Sequence, residues 1–213
     1  MVIGLDIDDT ITDTLAVMMA YAQKFTIEDL GREIDIKEIS NNRLDIDYVQ
    51  DIHAWSREEE LKFFWKYYRQ MIEQTTPFFF AKEIISKLKE EGHAIILITA
   101  RWDEVVEDGL APAKEITETW LKKHGIEYDK LIVNAQNKGE IAKENNVDVF
   151  VDDSLKNCIS VASKGIKTFI MDNRCNANSN AEGVTRVFSW PHLEHEIRKE
   201  IKWWNFMNLQ PMS

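Results

Sequence analysis

Val2-Ile3-Gly4-Leu5-Asp6-Ile7-Asp8-Asp9-Thr10 is a short apolar run that ends in three carboxylates. Val147-Asp148-Val149-Phe150-Val151-Asp152-Asp153-Ser154 repeats the pattern late in the chain. Apolar runs of this kind predict parallel strands buried on both faces. Each would deliver its acids to the C-terminal strand end, where open α/β sheets bind ligands. Clustered carboxylates repel one another and are costly to desolvate. Two such clusters imply a shared cation, and Mg²⁺, which prefers oxygen ligands, suits them. The simpler alternative is that each pair only caps a following helix. It accounts for one pair better than for two.

In extended backbone Asp6 and Asp8 point to the same side. Such a pair can divide the work of a substitution at an electrophile. Asp6 would be the nucleophile and Asp8 the acid that protonates the leaving oxygen, then the base that activates water. A cation would screen the anionic nucleophile from an anionic substrate. Its ligands would be Asp6, Asp8, Asp152 and Asp153. Thr99 and Ala100 follow the apolar run Ala94-Ile95-Ile96-Leu97-Ile98. A hydroxyl and a free backbone N–H there can hold a phosphoryl oxygen. Lys138, in Asn137-Lys138-Gly139-Glu140, can neutralise another. Taken singly, Thr99 is an ordinary β-branched strand residue and Lys138 an ordinary helix-terminal lysine. Their order and their placement at strand ends give them weight.

The rest of the chain predicts an α/β fold. Leu15, Met18, Met19, Ala22 and Phe25 have helical spacing. Residues 28–54 are polar and aperiodic, and predict loops with short helices. Ser56 and Glu59 predict a capping box, followed by a stripe of Leu61, Phe64, Trp65, Tyr68, Met71 and Ile72. No strand is expected between residues 14 and 80. Beyond Pro77 strand and helix alternate: helix 81–91, strand 94–99, a helix with Pro112 in its first turn and Gly125 at its end, strand 131–134, helix 139–146, the second acidic strand, a helix from Ser154 to Gly165, and strand 168–171. A last helix begins at Pro191, with Leu193, Ile197, Ile201 and Trp204 on one face. This alternation implies a parallel sheet between helices. The asparagine-rich loop 173–183 is expected to be mobile.

The chain has 213 residues, a net charge of -11 and 44% hydrophobic residues. That is enough for one generous domain with a small insert. The negative charge argues against a nucleic-acid polymer as partner. No apolar stretch reaches membrane-spanning length, and the first strand starts at once, with no room for a signal peptide. Cys158 and Cys175 fit no metal-site spacing. Together these features predict a reduced, cytoplasmic setting, with Cys158 in the core. His53, His93, His124, His192 and His195 are scattered and do not suggest a metal site.

Asp6-Ile7-Asp8-Asp9-Thr10, Ile98-Thr99-Ala100-Arg101, Lys138 and Val151-Asp152-Asp153 occur in the order of the four motifs of the haloacid dehalogenase-like (HAD) phosphohydrolases. The chain resembles that superfamily from residue 2 to about residue 171. The resemblance implies a Rossmann-like core from residues 1–13 and 81–213, with a helical cap from residues 14–80 inserted after the first strand. It implies a Mg²⁺-dependent phosphomonoesterase working through an aspartyl-phosphate. Asp6 would be the nucleophile, Asp8 the acid/base, Thr99, Ala100 and Lys138 the phosphate-binding set, and Asp152 and Asp153 the acids completing the metal site. A finer resemblance, which includes Ser189-Trp190, is to the 5′(3′)-deoxyribonucleotidase-like group. It implies (deoxy)nucleoside monophosphates as substrates. That group has Gly where this chain has Asp9. Other small phosphorylated metabolites, such as sugar phosphates or phospho-amino acids, are the alternative, as is a HAD-like protein that only binds. A receiver-like domain also gathers acids, a hydroxyl and a lysine at strand ends. Its acidic pair comes first and its lysine last, the reverse of the order here.

Overall fold

The computed structural model describes residues 1–34, 53–102, 113–177 and 179–208. The apolar runs form six parallel strands: β1 (Val2–Leu5), β2 (Ala94–Ile98), β3 (Lys130–Ile132), β4 (Val149–Asp152), β5 (Lys167–Met171) and β6 (Val184–Val187). Their spatial order is β3-β2-β1-β4-β5-β6. The chain runs outward from β1 through β2 to β3, then returns to the other side of β1 as β4. The strand-end crevice between β1 and β4 is therefore the topological switch point, where open α/β sheets bind ligands. This is the α/β, Rossmann-like fold that the acidic strands predict.

Seven helices are described: α1 (Thr14–Lys24), α2 (Arg57–Gln74), α3 (Ala81–Glu90), α4 (Ala113–His124), α5 (Lys138–Glu144), α6 (Leu155–Ala162) and α7 (Trp190–Asn208). A π-helical turn, Phe25–Asp29, continues α1. Pro112, most of the polar segment 28–54 (residues 35–52) and the tail beyond residue 208 lie outside the described residues. The main core joins Leu5, Leu97, Val149 and Phe169 of the sheet to α3, α4 and α7. Cys158 is fully buried, as expected.

A separate apolar cluster lies between α1 and α2: Met18, Ala22, Phe25, Trp55, Phe63, Tyr67 and Met71. The capping box at the start of α2 is present, with Ser56 Oγ accepting from Glu59 N–H and Glu59 Oε2 accepting from Ser56 N–H. The buried face of α2 matches the expected stripe only at Met71 and Ile72. Phe63 and Tyr67 are buried, Phe64 is half-buried and Trp65 is exposed. With aromatics at 63, 64, 65, 67 and 68, the helical period alone does not decide which face packs. Contact with α1 selects Phe63 and Tyr67, and turns Phe64 and Tyr68 toward the cavity at the strand ends.

Three other local expectations change. The Ser154 side chain does not cap α6; Ser154 N–H instead donates to Asp152 Oδ1 at 2.8 Å. Strand β6 was not anticipated, because Val-Thr-Arg-Val is short and only Val187 is fully buried. In the loop after β5, for which mobility is expected, Asn173 and Asn176 bond to Asp153 and Arg186 bonds to Asn176.

Candidate active site

The loop after β1 winds around one carbonyl. Ile7 C=O accepts from Ile11 N–H at 2.8 Å and from Thr12 N–H at 3.1 Å. The turn requires a left-handed residue, and Asp9 supplies it at φ 51°. Asp and Asn tolerate that region better than other residues with a Cβ, so the turn is made here without glycine. Asp9 Oδ1 accepts from Leu15 N–H at 2.9 Å and so tethers the start of α1. From the far end of the chain, the fully buried Trp190 donates its indole N–H to Thr10 C=O at 3.0 Å.

Asp6 is fixed at the switch point by its N–H bond to Val151 C=O, 2.9 Å long. That places it beside Asp152 and Asp153. Carboxylate oxygens of these three residues lie within 4.8 Å of one another. Lys138 answers two of them, with Nζ 2.7 Å from Asp6 Oδ1 and 2.8 Å from Asp152 Oδ2. Lys138 is buried at the first turn of α5, where Asn137 Oδ1 caps Glu140 N–H. Gly139 lets α5 come close to α6: a Cβ there would lie 2.4 Å from Ser160 Oγ and 2.7 Å from its backbone oxygen. Asp152 is fully enclosed and also accepts from Ser154 N–H and from Asn157 Nδ2 at 3.2 Å.

Asp8 sits apart from that trio. Arg101 grips it through Nε and Nη2, and Thr14 Oγ1 donates to Asp8 Oδ1 at 2.7 Å. Thr99 is fully buried, and its hydroxyl is 3.5 Å from Asp8 Oδ2, at the limit of a hydrogen bond. Ala100 is exposed on the wall of the cavity. Asp6, Lys138, Asp152 and Asp153 thus form one group, and Asp8, Thr99 and Arg101 an adjoining one. Among the described residues the close-set carboxylate group is Asp6, Asp152 and Asp153, while the Asp8 carboxylate is paired with Arg101.

The two groups differ electrostatically. Burial, reinforced by Asp152 and Asp8 against the pull of Lys138, pushes the Asp6 carboxyl up to about 7. Burial, then Asp152 and Asp6, push Asp153 well above the usual range. Burial also opposes ionisation of Asp8, yet the charge and hydrogen bonds of Arg101 hold it below the usual range. Three close carboxyl groups face one ammonium, so their full ionisation would leave uncompensated negative charge, and all the donors are hard oxygens. This set fits a divalent cation such as Mg²⁺.

A cavity of about 560 Å³ opens above these residues. Asp6, Asp8, Lys138 and Asp153 line its floor, Met18, Phe64, Tyr68 and Met71 one wall, and Trp102, Asn157, Cys175 and Asn176 the other. Asn157, Asn173, Asn176 and Arg186 were not anticipated from sequence. The only available signal was an asparagine five residues after Asp152 in the turn of a following helix.

Comparison with known proteins agrees with this geometry. The family model described as 5′ nucleotidase, deoxy (pyrimidine), cytosolic type C protein matches residues 1–202. YqfW of Bacillus subtilis (strain 168), named as a candidate nucleotidase, is 27% identical over 194 residues, covering 88% of this chain and 89% of its own. Among solved structures, the haloacid dehalogenase-like hydrolase SP0104 of Streptococcus pneumoniae aligns with a TM-score of 0.63 at 12% identity, covering 94% of this chain and 97% of its own. The HAD-hydrolase YfnB of Bacillus subtilis, solved bound to magnesium, aligns at 0.62 with 16% identity, covering 92% and 98%. These two share the fold.

Proposed function

The chain belongs to the family of 5′ nucleotidase, deoxy (pyrimidine), cytosolic type C proteins, and from that premise we propose a Mg²⁺-dependent hydrolase of (deoxy)nucleoside monophosphates that works through an aspartyl-phosphate on Asp6. Family and fold make it a phosphatase of the nucleotidase type. The observation that carries the fuller reading is the trio Asp6, Asp152 and Asp153 around Lys138, with Asp8 held separately on the same cavity floor.

In this reading an Asp6 oxygen bonds to phosphorus as the bond from phosphorus to the leaving oxygen breaks. Asp8, held ionised by Arg101 in the free protein, would take up a proton as the anionic substrate binds and give it to that oxygen. Asp8 then takes a proton from water, whose oxygen displaces Asp6 and releases inorganic phosphate. Lys138 stays charged throughout, because Asp152 and Asp6 outweigh the effect of burial on its ammonium. It orients Asp6 and balances charge on the phosphoryl group. Asp6, Asp152 and Asp153 would hold Mg²⁺, which when bound screens nucleophile from substrate. Ala100 N–H and Thr99 are assigned to the phosphoryl oxygens.

We assign residues 14–80 as a cap over residues 1–13 and 81–213. The separate apolar cluster of α1 and α2 supports this, as does the placement of Phe64 and Tyr68 on the cavity wall. The cavity exceeds what a phosphate needs, and a flat aromatic or heterocyclic group is suited to such a wall. The two cysteines are free, in keeping with a reduced, cytoplasmic setting. Among the described residues no helix is long and apolar enough to cross a membrane.

The test is turnover of a panel of nucleoside monophosphates, sugar phosphates and phospho-amino acids, with p-nitrophenyl phosphate as the small reference, with Mg²⁺ and with EDTA. Nucleoside monophosphates should lead the panel, EDTA should abolish turnover, and Asp6→Asn should lower it by several orders of magnitude. A sugar phosphate at the head of the panel would overturn the substrate. Near-normal turnover by Asp6→Asn would overturn the covalent step.

A further inference from the structure

The loop after β5 reaches the acidic trio through side chains outside every motif discussed above. Asn173 Nδ2 donates to Asp153 Oδ2 at 2.9 Å. Its Oδ1 accepts from Cys175 N–H at 2.9 Å and Asn176 N–H at 3.1 Å, an Asx-type turn. Flipping the amide would lose all three bonds, so its orientation is determined. Asn176 is only 5% exposed. Its Nδ2 donates to Asp153 C=O and Met171 C=O, both at 2.7 Å. Its Oδ1 accepts from Asn173 N–H at 3.2 Å and Arg186 Nη1 at 2.6 Å. This uses the full capacity of an amide side chain, two donors and two acceptor sites. Arg186, on edge strand β6, also donates to Asp172 Oδ1 at 2.6 Å, to Asn176 C=O at 2.8 Å and to Ser179 C=O.

Asp153 therefore has its backbone held by Asn176 and its carboxylate held by Asn173. Left to itself, a carboxylate facing two others would rotate away from them, and a cation would have to restore its position on binding. We propose that Asn173 is a positioning residue for the divalent cation: it fixes the Asp153 carboxylate toward Asp6 and Asp152, while Asn176 and Arg186 hold Asn173 in place from the sheet edge. The proposal rests on the metal-dependent reading above. It adds to the metal site a chain of polar contacts running from the outermost strand. Outer partners that orient a ligand commonly affect metal affinity in this way.

The test measures Mg²⁺ binding directly, by calorimetry and by the Mg²⁺-dependent rise in melting temperature, on the full chain. Asn173→Ala should weaken binding by roughly 10–100-fold and raise the Mg²⁺ concentration for half-maximal turnover of p-nitrophenyl phosphate by a similar factor. Turnover at saturating Mg²⁺ should stay close to wild type, while the metal-free melting temperature falls through loss of the turn's hydrogen bonds. Arg186→Met should shift affinity in the same direction by less. Asn173→Ser covers the case in which the alanine variant does not fold, since a hydroxyl can still accept from the turn N–H groups but is too short to reach Asp153; the same loss is expected. Wild-type affinity in a folded Asn173 variant overturns the proposal, as does a fall in saturated turnover at unchanged affinity. Absence of Mg²⁺ binding by the wild type overturns the metal reading itself, and the positioning role with it.

Discussion

Arg101 holds Asp8 through three contacts: Nε to Oδ2 at 3.0 Å, Nε to Oδ1 at 3.2 Å and Nη2 to Oδ1 at 2.7 Å. The guanidinium is itself fixed, since Nη1 donates to Thr117 Oγ1 on α4 at 3.2 Å. A buried arginine left without its carboxylate, or the reverse, costs far more than the intact pair contributes. Arg101→Met should therefore destabilise the fold by roughly 3 kcal/mol, the low end for a broken buried pair, because the Asp8 side chain keeps some solvent contact. Adding Asp8→Asn should recover much of that loss by removing the stranded charge. Denaturant unfolding of the two single variants and the double variant checks this. Strictly additive losses would mean that the two groups are not coupled.

Asp8→Asn alone should slow turnover by roughly 10²–10⁴-fold. The defect should be smaller with p-nitrophenyl phosphate than with a nucleoside monophosphate, because a good leaving group needs less help from a proton. Equal defects with both substrates, and no phosphoenzyme trapped on rapid quenching, would reduce Asp8 to a structural role.

Asp153 should matter more than Asp152 for the Mg²⁺ requirement. Asp152 is fully enclosed and already serves Lys138, Ser154 N–H and Asn157, whereas Asp153 lines the cavity. Titrating Mg²⁺ against turnover for Asp153→Ala and Asp152→Asn should give the larger rightward shift for Asp153→Ala. The opposite order would exchange their roles.

The metal-free protein should lose stability as pH rises from about 4 to about 7. Burial pushes both Asp6 and Asp9 up to about 7 from the ordinary carboxylate value of 3.8. Between those limits the folded state binds more protons than the unfolded state, so the slope of stability with pH is negative. Asp8, held below the ordinary range, acts oppositely, but only in more acid solution. Asp9→Asn keeps a residue suited to φ 51° and should flatten the decline. Melting temperatures in EDTA across pH 4–8 measure it, and an unchanged slope in the variant would remove Asp9 as a contributor.

Gly139→Ala should cost about 1–3 kcal/mol, the usual range for overpacking, and should lower turnover through Lys138 next to it. Ser160→Ala should not rescue it, because the backbone oxygen of Ser160 would still crowd the new methyl at 2.7 Å. Unfolding and kinetics on the single and double variants test both statements.

Much of this site was legible because its residues follow from local pattern. Apolar runs ending in acids marked β1 and β4, and Thr99 and Lys138 fell at the ends of neighbouring elements. Contacts between distant residues were not legible. Nothing local distinguishes Phe63 from Phe64 on α2, since the choice depends on where α1 lies. The loop 173–183 has the composition of a mobile segment. Within it, Asn173 and Asn176 meet Asp153, twenty and more residues away in sequence. Arg101 could be placed near phosphate or near an acid, and only the position of Asp8 decides between them.

The bond from Trp190 to Thr10 joins residues 180 positions apart. It also sets a timetable for synthesis. At about 5–20 residues per second, Trp190 is made roughly 9–36 s after Thr10. During that interval the first acidic loop exists without its final anchor. A chain stopped before residue 190 would therefore lack the hydrogen bond that joins the last helix to the first acidic loop.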